Sequence, residues 1–261
     1  MASMRDIKRR KDSIQSTGQI TKAMKLVSTV KLQKAKGRAE NTKPYFDLMY
    51  ETVQSILAKS GHINHKYLKE SESDKKAVIV VTANRGLAGG YNSNITRMII
   101  DEGFTKENTV VYAVGKKGRE LLERKGYEIK ADYSEAINDP IYKDAKEICD
   151  DVLSAFADGE VGEIYLAYTV FKNTVVHEPQ LIRLLPVEAD DAAHETDGSE
   201  ALMTYEPSEE EALDMIIPKY VCSLVYGALI ESVASENGAR MQAMDSATSN
   251  AEEMISTLSL K

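Results

Sequence analysis

The sequence predicts an α/β fold: two long terminal helices pair as an antiparallel coiled coil, and a domain with a mostly parallel sheet lies between them. Apolar residues recur at helical spacing through residues 3–58 and again through residues 209–261. Between these stretches, short apolar runs alternate with helical segments. Continuous apolar strands separated by helices are typical of a parallel sheet that is covered on both faces. We therefore divide the chain into residues 1–60, 75–205 and 209–261.

The two terminal helices are predicted to be too long for the core of a domain of this size. At the usual rise per residue each could reach roughly 70–80 Å, so they must protrude together. In the N-terminal helix, Leu26, Val30 and Leu32 add a second apolar face, which predicts more than one neighbour. Pro44 should kink or interrupt this helix. The C-terminal helix has a small residue at every fourth position, which lets a second helix approach closely: Ala239, Ala243, Ala247 and Ala251.

The middle of the chain is predicted to alternate between strands and helices. We expect strands at 75–83, 109–114, 127–131, 164–170 and 180–186, and helices at 94–102, 116–125 and 141–156. Residues 188–200 are rich in Asp and Glu and should form a solvated acidic loop. The apolar runs are of strand length, so we expect no membrane span.

The charge of the chain is unevenly distributed. Residues 1–43 carry 12 basic and 3 acidic side chains, whereas the remaining residues carry 21 basic and 38 acidic ones. A basic cluster lies in the first turns of the N-terminal helix: Lys8, Arg9, Arg10 and Lys11. The helix dipole disfavours cations there by about 0.3–1 kcal/mol each. The cluster therefore predicts an acidic partner, with a solvated helix face or a nucleic-acid or membrane contact as the alternatives.

The strongest candidate for a ligand site is the Gly-rich turn at residues 84–90, because α/β folds bind phosphates directly after a strand. It lacks the Lys and Ser/Thr of a P-loop. The spacing of Gly86, Gly89 and Gly90 does not match the dinucleotide fingerprint either. We interpret these glycines as a structural turn, and a nucleotide-dependent enzyme on the α/β domain remains the alternative.

Catalytic and metal-binding patterns are lacking. The four histidines are scattered, and Cys149 and Cys222 form no CxxC motif. No GxSxG nucleophile signature occurs. We therefore expect no catalytic residue, no cofactor and no metal site.

Three stretches together are similar to one known family. They are residues 4–10 (MRDIKRR) leading to 19–27 (QITKAMKLV), residues 84–92 (NRGLAGGYN) and residues 234–248 (ASENGARMQAMDSAT). They resemble the γ subunit of F-type ATP synthases, the central rotating shaft. Ala88 stands where many relatives have Cys, and the cysteine-pair insert of the chloroplast type is lacking. Relatives also continue beyond this point, so we expect the C-terminal helix to be incomplete at its end.

The resemblance implies a non-catalytic rotor that couples ion flow to ATP synthesis or hydrolysis. It implies a coiled coil inside a hexamer of α and β subunits and a Rossmann-like domain, without nucleotide, against the ε subunit and the membrane c-ring. One copy per complex, no nucleic acid and a peripheral location on the cytoplasmic face of a bacterial membrane are expected. An acidic loop of each β subunit is expected to meet Lys22, Met24, Lys25 and Arg240. Tyr205 corresponds to a region near the c-ring.

Overall fold

The computed structural model describes residues 4–59, 65–69, 73–187 and 208–259. Two helices of 56 and 51 residues, α1 (Met4–Lys59) and α5 (Glu209–Ser259), enclose the other elements in the sequence. The strands are β1 (Lys76–Val81), β2 (Thr109–Val114), β3 (Glu128–Asp132), β4 (Glu163–Phe171) and β5 (His177–Leu185). The shorter helices are α2 (Tyr91–Asp101), α3 (Lys116–Arg124) and α4 (Tyr142–Ala157), with a 3₁₀ turn at Ala136–Asn138. The predicted alternation of strands and helices is confirmed.

The five strands form one mostly parallel sheet in the order β3–β2–β1–β4–β5. Four strands run parallel, and β5 runs antiparallel to β4. Strands β1 and β2 consist almost entirely of buried residues, which explains why they are continuous apolar runs. The predicted fold class is therefore confirmed.

Helices α1 and α5 pair in antiparallel fashion. Thr21 hydrogen-bonds Thr248 at 2.7 Å, and Lys25 pairs with Asp245 at 2.5 Å. Gly18 faces the Cβ of Ala251, which belongs to the predicted small-residue ridge. Residue numbers thus fall along α5 as they rise along α1. At its 56 residues α1 is about 84 Å long, so the pair extends far beyond the sheet.

One hydrophobic core joins the base of the coiled coil to the sheet. Val53 and Ile56 of α1 belong to the same buried cluster as strands β1 and β4 and helix α4. The α5 residues of this cluster recur at helical spacing: Leu213, Ile217, Val221, Val225 and Leu229. A window of α5 has a mean hydropathy of 1.5, enough by length and composition to cross a membrane, but 56% of it is buried inside this protein. Its apolar character therefore serves the core.

Some details differ from the expectations. Helix α1 continues through Pro44 without interruption, and because Pro44 is exposed, water can satisfy the carbonyl group that loses its partner. Leu32 does not join a second apolar face, because it is 5% exposed and packs near Ala234 of α5. The predicted acidic loop at 188–200 and Tyr205 lie outside the described residues.

Candidate functional site

The three sequence stretches that carried the resemblance meet at a groove between α1, α5 and the turn after β1. This shaft groove has a volume of about 870 Å³. Its three walls are formed by α1, the turn after β1 and α5. The lining residues include Met24, Val27 and Lys31 of α1, Arg85 and Leu87 of the turn, and Arg240 of α5. The groove is therefore the candidate site at which a partner would meet the shaft.

The Gly-rich turn is held in place by groups of this chain. The guanidinium of Arg240 donates to the carbonyl of Gly86 at 3.3 Å and to that of Arg85 at 3.4 Å. Leu87 has a φ of +62° and is 63% exposed, so the turn presents an apolar side chain to solvent. The turn therefore acts as one wall of the groove.

Arg240 has its immediate partners within this chain, and its contact with a β subunit stays a prediction. It forms an ion pair with Glu236, one helical turn away, at 2.6 Å, and the two side chains are only 10% and 13% exposed. Because the guanidinium also binds the turn carbonyls, its charge is already engaged within this chain. In this conformation Arg240 supports the groove from beneath and does not project from it.

The other expected contact residues differ in their exposure. Lys22 is exposed and Met24 is half-buried in the groove wall. Lys25 forms an ion pair with Asp245. Of the basic cluster, three side chains are exposed and Lys11 is half-buried, and none of the four forms an ion pair with another described residue. The cluster is therefore available to an acidic partner.

The N-terminus of α3, where a phosphate could bind, is filled by the protein itself. The amide of Lys116 donates to Asn84 Oδ1 at 2.9 Å, and the amide of Gly118 donates to Thr82 Oγ1 at 2.9 Å. The amide of Lys117 donates to the carbonyl of Ala83 at 3.0 Å. Anions bind at helix N-termini because these amides are otherwise unpaired. Here their pairing leaves an anion without free backbone donors at this helix end.

We therefore expect the isolated chain to bind neither ATP nor NAD with a dissociation constant below roughly 10 μM, which is about −7 kcal/mol. Isothermal titration calorimetry measures this directly. Tight binding of either nucleotide would instead favour an enzyme on the α/β domain.

The described residues contain no cluster of three or more His, Cys, Asp or Glu side chains that could hold a metal ion. Cys149 and Cys222 are both buried. His65 is also buried, and its Nε2 lies 3.2 Å from Asp214 at the base of α5. These groups stabilise the packing and do not converge on a reaction centre.

The sequence interpretation missed Arg85 and Leu87 as groove residues. Both are exposed, and Arg85 forms no ion pair with another described residue. The sequence feature that could identify them is a large basic and a large apolar side chain in a turn of mostly small residues, directly after a buried strand.

Comparisons with known proteins agree with this arrangement. A family model described as ATP synthase matches residues 3–261. The ATP synthase gamma chain of Lachnoclostridium phytofermentans is 67% identical, over 100% of this chain and 92% of its own length. That of Alkaliphilus metalliredigens is 42% identical, over 99% and 90%. A chain in the central stalk and c-ring structure of the Tetrahymena thermophila mitochondrial ATP synthase is 26% identical, with a TM-score of 0.65 over 87% of this chain and 99% of that chain. This chain therefore belongs to the ATP synthase γ-chain family.

Proposed function

We propose that this chain turns as the central shaft of an F-type ATP synthase, with α1 and α5 inside a hexamer of α and β subunits. The observation that carries the proposal is an apolar stripe on the projecting part of α1. Its members are between 58% and 69% exposed: Ile20, Leu26, Val27 and Val30. At 100° per residue they fall within about 120° of one another. The stripe lies opposite the buried residues Thr21, Ser28 and Leu32, which face α5.

An apolar stripe of this kind needs a cover that this chain does not offer in its described residues. Large exposed apolar surfaces mark sites of protein–protein contact. A sleeve of surrounding subunits would cover the stripe from outside while α5 covers the other side. Each catalytic subunit would then meet a different face of one asymmetric shaft, so the three sites would differ in affinity at any moment.

The shaft groove is the proposed contact for an acidic loop of each β subunit. Lys22 and Met24 lie at this level of α1, and Arg85 adds an exposed cation from the turn. Lys25 and Arg240 would act more indirectly, because Asp245 and Glu236 already hold their charges. Leu87 and Val27 would give the loop apolar surface on which to slide.

The remaining partners follow from the two ends of the molecule. The cluster of Lys8 to Lys11 is proposed to meet the acidic loop of each β subunit. The α/β domain is proposed to lie against the ε subunit and the membrane c-ring, and the contact of Tyr205 with the ring stays a prediction. The complex is membrane-associated, and we place this chain on the cytoplasmic face of a bacterial membrane, in one copy per complex.

The proposal is tested by measuring the rotation of a bead attached to this chain. Cys149 and Cys222 are buried, so a Lys106→Cys variant in the loop after α2 offers one accessible thiol. Lys106 has 59% of its side chain exposed, and a bead attached there reports the orientation of the α/β domain. With the hexamer of α and β subunits fixed to a surface, ATP should drive rotation of the bead in one direction. Hydrolysis without rotation would contradict the proposal.

A further inference from the structure

Helix α5 changes the chemistry of its contact with the α/β domain at Ser232. Up to Leu229 its buried residues are almost all apolar. Residues 232–240 instead include four buried polar residues, each at most 8% exposed: Ser232, Ser235, Asn237 and Arg240. A buried polar contact is costly unless every group finds a partner, so the partners of these side chains explain the change.

The first contact of this segment is with β4. Strand β1 pairs with β4 only as far as Ala167. Two residues further on, the hydroxyl of Ser235 donates to the carbonyl of Thr169 at 3.1 Å, and Ser232 Oγ accepts a long hydrogen bond from the Thr169 amide at 3.5 Å. Two hydroxyls of α5 thus bond backbone groups beyond the end of β1.

The second contact is with the turn that follows β1. The hydroxyl of Tyr91 donates to the carbonyl of Ser232 at 3.1 Å. Burial, with Glu236 nearby, raises the pKa of Tyr91, so its hydroxyl remains a donor across the physiological range. Arg240 completes the contact through Gly86 and Arg85. We call these hydrogen bonds between the α/β domain and Ser232, Ser235 and Arg240 of α5 the polar clasp.

Next to the polar clasp, α5 closely approaches the hairpin formed by β4 and β5. A Cβ atom added to Gly238 would lie 2.7 Å from Cε1 of His177 at the start of β5. A larger residue at this position would therefore require the His177 ring to shift. Helix α1, in contrast, reaches the domain through the apolar packing of Val53 and Ile56. Its ion pairs with the domain are exposed: the closer one joins Arg38 to Asp139 at 2.6 Å, and their side chains are 33% and 62% exposed. Exposed pairs of this kind contribute little.

We propose that the polar clasp is the joint through which torque passes between the shaft and the α/β domain, and that α5 is the helix that transmits it. Apolar packing is non-directional, so it opposes separation more than it opposes rotation of a helix about its own axis. Hydrogen bonds weaken steeply as their angle changes, and buried polar contacts are best known for fixing the register of helices. The inference rests on the proposed function, because only a rotor carries torque.

The test compares two hydroxyl deletions in the bead assay. Tyr91→Phe combined with Ser235→Ala removes two hydrogen bonds of the polar clasp. Tyr127→Phe is the matched control, since the Tyr127 hydroxyl is also buried and donates to a backbone carbonyl, that of Phe104, at 2.6 Å within the α/β domain. With the hexamer fixed and the bead on the Lys106→Cys thiol, the clasp variant should show a broader spread of bead angles in each pause. Its rate of ATP hydrolysis should stay at the wild-type value, and the control should match the wild type in both.

The possible outcomes separate this inference from the proposed function. A wild-type spread of angles in the clasp variant would overturn the inference, and so would an equal broadening in the Tyr127→Phe control. If the double variant does not assemble, Tyr91→Phe alone is compared with the control by the same criterion. Failure of the bead to turn on the unmodified shaft would instead contradict the proposed function.

Discussion

Met24→Lys is expected to leave the chain folded and assembled while lowering the ratio of ion pumping to ATP hydrolysis. The Met24 side chain is half-buried at the wall of the shaft groove, and a flexible neutral thioether can slide past a neighbouring loop. A lysine there would add a charge-assisted hydrogen bond to an acidic loop at the point of passage. Close interfacial charge pairs couple by about 1.5–7 kcal/mol. Even the low end would slow each departure by roughly tenfold.

The measurement is ATP hydrolysis and ATP-driven ion pumping, side by side in membrane vesicles that hold the whole complex. Met24→Gln is the control, because it has similar length and no charge, and it should keep the wild-type ratio. Replacing Arg240 by Gln should partly restore the Met24→Lys variant. The structure adds a reason, because loss of Arg240 frees the carboxylate of Glu236 in the same groove to pair with the new ammonium group. An unchanged pumping-to-hydrolysis ratio in Met24→Lys would show that this part of α1 does not meet the acidic loop.

Gly115→Ala is expected to remove a large share of the stability of the chain. Gly115 has a φ of +116°, and a Cβ atom there would lie 2.1 Å from the carbonyl oxygen of Thr82. Backbone atoms of adjacent buried strand ends cannot move aside, so strain and overpacking act together. We expect a loss on the order of 3 kcal/mol or more from a total that is typically about 5–15 kcal/mol.

Urea unfolding followed by circular dichroism measures this loss. Gly37→Ala is the matched control, because Gly37 lies inside α1 and its added Cβ would meet nothing within 4 Å. That substitution should stabilise the helix by about 0.5–1 kcal/mol. Equal midpoints for Gly115→Ala and the wild type would mean that the turn after β2 is looser than the structure indicates.

The order of elements was predictable because the local patterns were strong. The strand at Thr109–Val114 has the bounds that its apolar run predicts. The direction of β5 was also within reach of the sequence. Only five residues connect Phe171 to His177, and a parallel neighbour needs a crossover of about a dozen residues or more.

The environment of Arg240 was beyond sequence reasoning. Its pairing with Glu236 follows from their spacing of four on a helix. Its bonds to the turn, however, join residues that are 154 and 155 positions apart. No periodicity within either segment says which distant turn a helix will touch. The nearest acceptors of Arg240 are in this chain, and its contact with a β subunit stays a prediction.

The order of the strands gives the position of α5 a further meaning. In open α/β sheets, ligands enter the crevice at the carboxyl ends of the strands where the strand order reverses. Here that reversal lies between β1 and β4. Ser232 binds Tyr91, which follows β1, and Thr169, which lies near the carboxyl end of β4. A segment of the same polypeptide thus lies where an enzyme of this architecture holds a diffusible substrate. A small molecule that entered this crevice would have to compete with a tethered segment of high effective concentration. If it displaced α5, it would weaken the rotational coupling between the shaft and the α/β domain.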